Sequence, residues 1–422
     1  MGSLLVENVI LDDQKTSIYC NNGKIVSIGE DCNADEIFDG CGYIVHPALN
    51  NSHTHAAMTL FRGNGDDMPL MEWLQTRVWP YEQNISSEEV YWGTKLAITE
   101  MIRSGIVFFN DMYWDFHAVA KAVEETGIKA CLSAVFIDFD DPVQAKSQQK
   151  TNERLHIEAK DYSDRITFGV GPHAIYTVSE DSLRWAGEFT REHNLKLHIH
   201  LSETEYEVKE CVKTHSCSPV EYLKRTGMLS DRLAAAHTVW LSERDIGLLG
   251  DYGVLTINNP VSNMKLAVGE VYPYRKLKDA GAVTAIGTDG AGSNNNLDLF
   301  EEMKIAALLQ KFKENDPTAL PAGEAIEMAT INPSNFFGLN NGQIKPGSAA
   351  DFILIDVQRP EMQPMHNLTS HLVYSANGYA VDSVICDGRL LMKHRKIENE
   401  EEIMEGAYRA AKNLFARVDK AK

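Results

Sequence analysis

The 422-residue sequence lacks any apolar run near the roughly 20 residues that a bilayer-spanning helix requires. It also lacks a basic segment followed by an apolar one near its start. Glu7, Asp12 and Asp13 stand there instead, so no secretory leader is expected. Positive charge is scarce: 40 Lys plus Arg against 60 Asp plus Glu give a formal charge of −20. That balance argues against a nucleic-acid backbone or an anionic membrane as partner. Cysteines number only seven, are scattered, and form no C-x-x-C, which fits a reduced, cytoplasmic protein better than a disulfide framework. Cys211, His215 and Cys217 are closely spaced. Their neighbours Glu207, Lys209, Glu210 and Lys213 read as a solvated helix end, and a structural zinc needs four placed ligands. No sequence repeat or low-complexity stretch occurs. No G-x-G-x-x-G follows a β-like run, so a doubly wound nucleotide-binding sheet loses its main support.

What is present is an ordinary globular composition, 44% hydrophobic and 24% charged, on a chain long enough for more than one domain. Residues 4–48 read as short strands and turns, with a hairpin around Asn21-Asn22-Gly23. From about residue 48 the texture changes. Apolar runs at 106–111, 129–136, 165–173, 196–203, 233–239, 254–260 and 282–289 alternate with amphipathic stretches such as 88–103, 116–126, 180–193, 219–226 and 243–251. With the run leading into His53, eight β/α units fit an α/β fold, a (β/α)8 TIM-like barrel. A helical run at 322–337 follows. The β texture then returns at 350–357 and 381–386, and a tail helix is expected over 400–422 from the spacing of Ile403, Ala407, Ala410 and Leu414. Neither β segment is large enough to hold a core alone. Both chain ends are therefore expected to meet in one small β-sandwich: residues 1–47 and 345–422, flanking a barrel of 48–344.

Metal-capable residues recur at the carboxyl ends of these runs, where barrel enzymes build their sites. His53 and His55 sit one residue apart after strand 1, and residues i and i+2 share a strand face. His173 ends strand 4, His200 and Glu203 close strand 5, His237 closes strand 6 and Asp289 closes strand 8. Two histidines make no catalytic zinc site, which normally takes three protein ligands and an open position. His198 shares a face with His200 but lies deeper in the run, as barrel interior or as a residue supporting a ligand from behind rather than as a ligand itself.

The pieces His53-Thr54-His55-Ala56-Ala57-Met58, Gly171-Pro172-His173, His200-Leu201-Ser202-Glu203, Asn259–Leu266, Gly287-Thr288-Asp289-Gly290 and Ser293-Asn294-Asn295 together carry a resemblance. The chain resembles the amidohydrolase superfamily, in the branch of 5′-methylthioadenosine/S-adenosylhomocysteine deaminases and related chlorohydrolases. The similarity extends from the first β segment to Asp387-Gly388. It implies one divalent metal, usually Zn2+, held by His53, His55, His200 and Asp289; Fe2+ and Mn2+ suit the same donors. Binuclear relatives carry a bridging modified lysine at the end of strand 4, where this chain has Gly171-Pro172-His173.

The resemblance also implies a chemistry. Water attacks C6 of an adenine ring, Asp289 accepts its proton, Glu203 protonates N1 and His237 orients the water. For the substrate it implies Glu82, in Trp79-Pro80-Tyr81-Glu82, at the ribose hydroxyls, and His173 as a contact. An arginine would hold the carboxylate of S-adenosylhomocysteine, and Arg154 is the available candidate in a segment, 144–154, that matches the family poorly. Met58, Leu60, Trp73 and Trp79 are candidates for an apolar wall. The expected substrates are methylthioadenosine, S-adenosylhomocysteine and adenosine. Guanine, a pterin or an s-triazine is the alternative within the same mechanism, and a metal-free scaffold is the alternative outside it. A homo-oligomer is expected.

Overall fold

A computed structural model of the protein describes residues 2–30 and 32–421. Five strands precede the barrel: β1 (Leu4–Leu11), β2 (Gln14–Asn21), β3 (Lys24–Ile28), β4 (Glu36–Asp39) and β5 (Tyr43–Pro47). The barrel strands are β6 (Leu49–Thr54), β7 (Ile106–Tyr113), β8 (Lys129–Phe136), β9 (Ile166–Pro172), β10 (Lys196–Leu201), β11 (Leu233–His237), β12 (Leu255–Asn258) and β13 (Val283–Ile286). Afterwards β14 (Phe352–Asp356), β15 (Val381–Cys386) and β16 (Arg389–Met392) return to the first sheet.

That first sheet is one continuous hydrogen-bonded set of eight strands, in the order β16-β15-β14-β5-β1-β2-β3 with β4 on β1. The two chain ends join where β14 runs antiparallel to β5, with Ile353 opposite His46. Leu4, Val6, Ile18, Phe38, Phe352 and Ile385 form its own core. Neither end could bury these side chains without the other, which explains the discontinuous domain.

The barrel strands pair in parallel from β6 through β13. Strand β7 is buried at all eight positions, as expected of a strand with the barrel interior on one face and helices on the other. Among the described residues no ladder joins β13 to β6. The seam closes just beyond the strand ends: Thr288 N donates to Asn51 Oδ1 (3.1 Å), Asn51 Nδ2 to Thr288 Oγ1 (2.7 Å), and Asp289 N to His53 O (3.0 Å). Gly287 permits this approach. A Cβ there would lie 2.8 Å from both the Cβ and the backbone nitrogen of His53. The closure thus brings the metal-capable ends of strands β6 and β13 together.

Helices Phe116–Thr126, Glu180–His193 and Glu243–Asp251 match the expected spans, and Ser87–Arg103 begins at a capping box of Ser86 and Glu89. The expected helix over 322–337 is two, Ala322–Ala329 and Ile331–Phe337, broken at Thr330 (φ −128°, ψ −85°). Pro333 falls in the first turn of the second, where a missing N–H costs nothing. Helix Pro142–Glu158 was not anticipated. The last helix, Glu400–Ala421, buries Ile403, Ala407, Ala410 and Leu414 and packs on Ser87–Arg103. Among the described residues no helix is long and apolar enough to cross a membrane.

At the amino end of the barrel, Lys129 Nζ lies 2.6 Å from both Asp351 Oδ2 and Asp387 Oδ1, and Arg165 Nη1 lies 2.8 Å from Asp387 Oδ2. Two cations from barrel strand starts and two carboxylates from the β domain thereby tie the layers together.

Candidate active site

Side chains from four barrel strand ends converge at the opposite mouth. The ligand atoms of His53, His55 and Asp289 lie within 4.8 Å of one another, as do those of His53, His200 and His237. Asp289 Oδ1 is 3.3 Å from Nε2 of both His53 and His55, and His55 Nε2 is 3.2 Å from His200 Nε2. The second nitrogen of each of the three imidazoles is committed elsewhere. His55 Nδ1 donates to Met112 O (2.7 Å), and His200 Nδ1 donates to His173 O (2.7 Å). His53 Nδ1 lies 2.8 Å from Nε2 of His198, the interior residue of strand β10.

These bonds test whether a cation fits. A carbonyl oxygen only accepts, so Nδ1 carries the proton in neutral His55 and His200, and both Nε2 atoms present lone pairs. Two lone pairs facing each other at 3.2 Å beside a carboxylate oxygen repel unless a cation lies among them. His53 Nε2 is buried and makes no hydrogen bond. Burial pulls the His53 imidazole down to about 4, which keeps it neutral and ligand-ready at pH 7. Asp289 is fixed on its other side: Ser262 Oγ (2.6 Å) and Ser293 Oγ (3.0 Å) donate to Oδ2. Three nitrogens and one carboxylate, each oriented by a second partner, are the donor set of a catalytic divalent site.

The backbone at these strand ends is strained. Ser202 (φ 52°), His237 (φ 71°), Thr238 (φ 46°) and Asp289 (φ 59°) are all left-handed without being glycine. Cross-strand bonds hold them there: Thr238 N donates to Leu201 O (2.9 Å), and Asp289 N to His53 O (3.0 Å).

Glu203 is buried just past strand β10, and burial pushes its carboxyl above the usual carboxylate range. Its Oε1 is 3.9 Å from His237 Nδ1, and Asn263 Oδ1 lies 2.8 Å from that same nitrogen. The His237 imidazole resists its own burial because the Glu203 and Asp289 carboxylates push its pKa up.

Glu207 was missed. The expectation of a solvated helix end there is wrong at this residue: Glu207 is buried, accepting from Ser202 N (2.8 Å) and Glu203 N (2.9 Å). Burial pushes its carboxyl up to about 7. The available signal was Thr204-x-x-Glu207, a capping-box pattern. Thr204 does cap helix Glu205–His215, but the glutamate turns back to the strand end.

A cavity opens over this cluster. His55, His173, His200, Glu203, His237 and Asp289 line its floor, and Met58, Trp73 and Trp79 supply apolar wall, as expected. Glu82 lines the same cavity, and burial raises its carboxyl pKa. Tyr176, Trp114, Leu266 and Ser293 line it too without having been assigned a place. Leu60 does not; it is buried in the core against helix Ser87–Arg103. Arg154 is not brought to the site. It rides on the unanticipated helix Pro142–Glu158, 64% exposed, 3.9 Å from Glu158, beside a neighbouring groove. Cys211 and Cys217 form no metal-capable group among the described residues.

The Amidohydrolase family profile matches residues 44–391. The chain is 50% identical to the 5′-deoxyadenosine deaminase of Methanoregula boonei over 91% of its length and 87% of that protein. It is 46% identical to the 5-methylthioadenosine/S-adenosylhomocysteine deaminase 1 of Archaeoglobus fulgidus, covering 92% of each. Among solved structures, an adenosine deaminase from Xanthomonas campestris with bound zinc superposes with a TM-score of 0.92. It is 32% identical and covers 99% of this chain and 98% of its own. The matched span holds the whole barrel and every residue of the polar cluster at its mouth, and the chain belongs to the amidohydrolase family.

Proposed function

We propose that the chain is a hydrolytic deaminase of adenine nucleosides that releases ammonia and the inosine analogue. One observation carries this reading: a buried glutamic acid of raised pKa, Glu203, shares a cavity with a His/Asp cluster built to receive a cation. The deaminase names of its relatives support it.

His53, His55, His200 and Asp289 would hold one divalent ion, Zn2+ foremost, with Fe2+ and Mn2+ fitting the same donors. When bound, such an ion brings the pKa of water toward neutrality and so supplies the nucleophile. Asp289 takes the proton of that water as its oxygen bonds to C6. Attack at C6 drives an electron pair onto N1, where the neutral Glu203 carboxyl delivers its proton. His237, held by Asn263, orients the attacking oxygen. The proton on Asp289 passes to the amino group, the C6–N bond breaks, and ammonia leaves. The remaining hydroxyl proton returns to Glu203, leaving a C6 carbonyl and N1–H. Glu82 takes the ribose hydroxyls and His173 contacts the base. Arg154 has no role in this scheme.

The domain limits we propose are 1–47, 48–344 and 345–422; the switch of sheets between Pro47 and Leu49 supports the first. Seven free cysteines support a reducing, cytoplasmic setting. The exposed pair Leu308 and Phe312 supports self-association, which light scattering measures.

Purified protein of measured metal content is to be screened by ultraviolet absorbance against adenosine, 5′-deoxyadenosine, methylthioadenosine, S-adenosylhomocysteine, guanine and an s-triazine. Near-stoichiometric metal and turnover of adenine nucleosides are expected. Turnover of another ring with no adenine nucleoside consumed would sink the proposal. Protein isolated without chelators and without metal would favour a scaffold.

A further inference from the structure

Beside the cavity mouth a second groove shares Trp79, Glu82, Trp114 and Ile137 with it and continues to Phe139, Gln144 and Gln148. If the deaminase reading holds, the adenine edge faces Glu203 and the ribose faces Glu82. The 5′ carbon lies at the far end of a nucleoside from C6, so its substituent points past Glu82 into this groove.

The groove is built around an unusual residue. Phe139 is 60% exposed and left-handed (φ 44°), followed by left-handed Asp140 (φ 60°). An aromatic residue pays both a steric and a hydration cost in that state, so the turn must be held from outside. It is. Gln148 clamps Ile137 by its backbone, accepting from Ile137 N (3.0 Å) and donating to Ile137 O. Asp138 is buried and accepts from Ser179 N and Ser179 Oγ (both 2.8 Å). The N–H groups of Asp138 and Phe139 both donate to Thr177 O (3.1 and 3.0 Å). These anchors present the Phe139 ring edge-on to Trp79, with centroids 6.4 Å apart.

No lysine or arginine lines either the cavity or the groove among the described residues. Gln148 is already occupied by Ile137. A carboxylate arriving here meets no cation among the lining residues.

We infer that Phe139, with Trp79, Trp114 and Ile137, forms a subsite for an uncharged, apolar 5′ substituent. The site thereby prefers 5′-deoxy and 5′-methylthio nucleosides to one whose 5′ group ends in an amino-acid zwitterion. A methylthio group gains apolar contact and sulfur–aromatic contact between these rings. The zwitterion gains the same thioether contact but leaves its carboxylate without a cation to pair with.

The test compares kcat/KM of the full-length, metal-loaded protein for adenosine, methylthioadenosine and S-adenosylhomocysteine. In the unaltered chain S-adenosylhomocysteine should fall at least about tenfold below methylthioadenosine. Phe139→Ala and Phe139→Asn should lower kcat/KM for methylthioadenosine about three- to tenfold, mainly through KM, with a smaller change for adenosine. Asparagine tolerates the left-handed backbone, so the second variant removes the ring while keeping the turn. Equal handling of the two thioethers, or an equal loss with every nucleoside in the Phe139 variants, would overturn the subsite. So would loss of S-adenosylhomocysteine turnover in Arg154→Ala. Absence of turnover with every nucleoside would overturn the deaminase reading itself, a result distinct from all of these.

Discussion

At the amino end of the barrel, Lys129, Arg165, Asp351 and Asp387 bury four charges in opposite-sign contacts of 2.6–2.8 Å. At the carboxyl end, His53, His55, His200 and Asp289 bury a comparable number of polar groups and leave their lone pairs turned toward one another. The first cluster pairs each of its charges with one of opposite sign within the chain; burial works against the Lys129 ammonium, but Asp351 and Asp387 outweigh it and push its pKa up. The second is complete only with something the chain does not supply. Left-handed backbone occurs at both clusters, at Asp387 (φ 47°) in the first and at His237 and Asp289 in the second. Neither burial nor backbone strain alone therefore marks function. Polar charge left uncompensated does.

The widest separation between the two ends should come from Glu203→Gln. This variant keeps the shape and the metal ligands but removes the proton carried to N1. We expect kcat to fall by about 10²–10⁴ while metal content and thermal midpoint hold. Near-normal turnover would place the proton elsewhere. The pH profile adds a sign. The acid works only while protonated, and its pKa is raised, so activity should persist above the ordinary carboxyl range and fall on the alkaline side as Glu203 ionises. The opposite behaviour is expected of Asp351→Asn. Removing one charge from a buried network costs about 3 kcal/mol, seen as a lower denaturant midpoint, while kcat per metal-loaded chain stays unchanged. A loss of kcat without a loss of stability there would erase the distinction between the ends.

The two ends also differed in how legible they were. Strand β8 falls on the expected residues because a strand buried on both faces reads as a continuous apolar run, and helices Phe116–Thr126 and Glu180–His193 do because a half-buried helix writes its buried face into apolar spacing. The same rule hides helix Pro142–Glu158, whose buried residues are only Ala145, Asn152 and Leu155. Without that helix, Arg154 looked available to a substrate when its side chain faces solvent. At the site, the metal-capable residues were visible from their strand-end positions, and the family resemblance singled out the four ligands among them. Their left-handed backbone and the pairing of His53 with His198 were not, since both depend on bonds between strands far apart in sequence. Glu207 was hidden by its own pattern, which is that of a helix cap.

A smaller effect should follow from His198→Gln, which acts on the metal cluster without touching its mouth. His198 Nε2 holds the His53 ring at 2.8 Å from below, so its loss lets that ligand rotate. We expect metal affinity to weaken about 10- to 100-fold, with full activity restored by excess metal. Activity that stays low under saturating metal would mean that His198 does more than orient a ligand.

The smallest expected effect is the one that most finely separates the two kinds of buried charge. Among the described residues no lysine or arginine pairs with Glu207; two N–H groups meet it, and burial raises its carboxyl from 4.5 to about 7. The folded state therefore holds this proton more tightly than the unfolded chain. Its contribution to stability is fully present below about 4.5 and is lost as pH rises through about 7. Unfolding midpoints of the unaltered protein and of Glu207→Gln, measured from pH 5 to pH 8, should converge as pH rises, because glutamine cannot ionise. If the Glu207→Gln gap widened with pH instead, the carboxylate would be stabilising in its ionised form. The Ser202 and Glu203 N–H groups would then be doing for Glu207 what Lys129 does for Asp351.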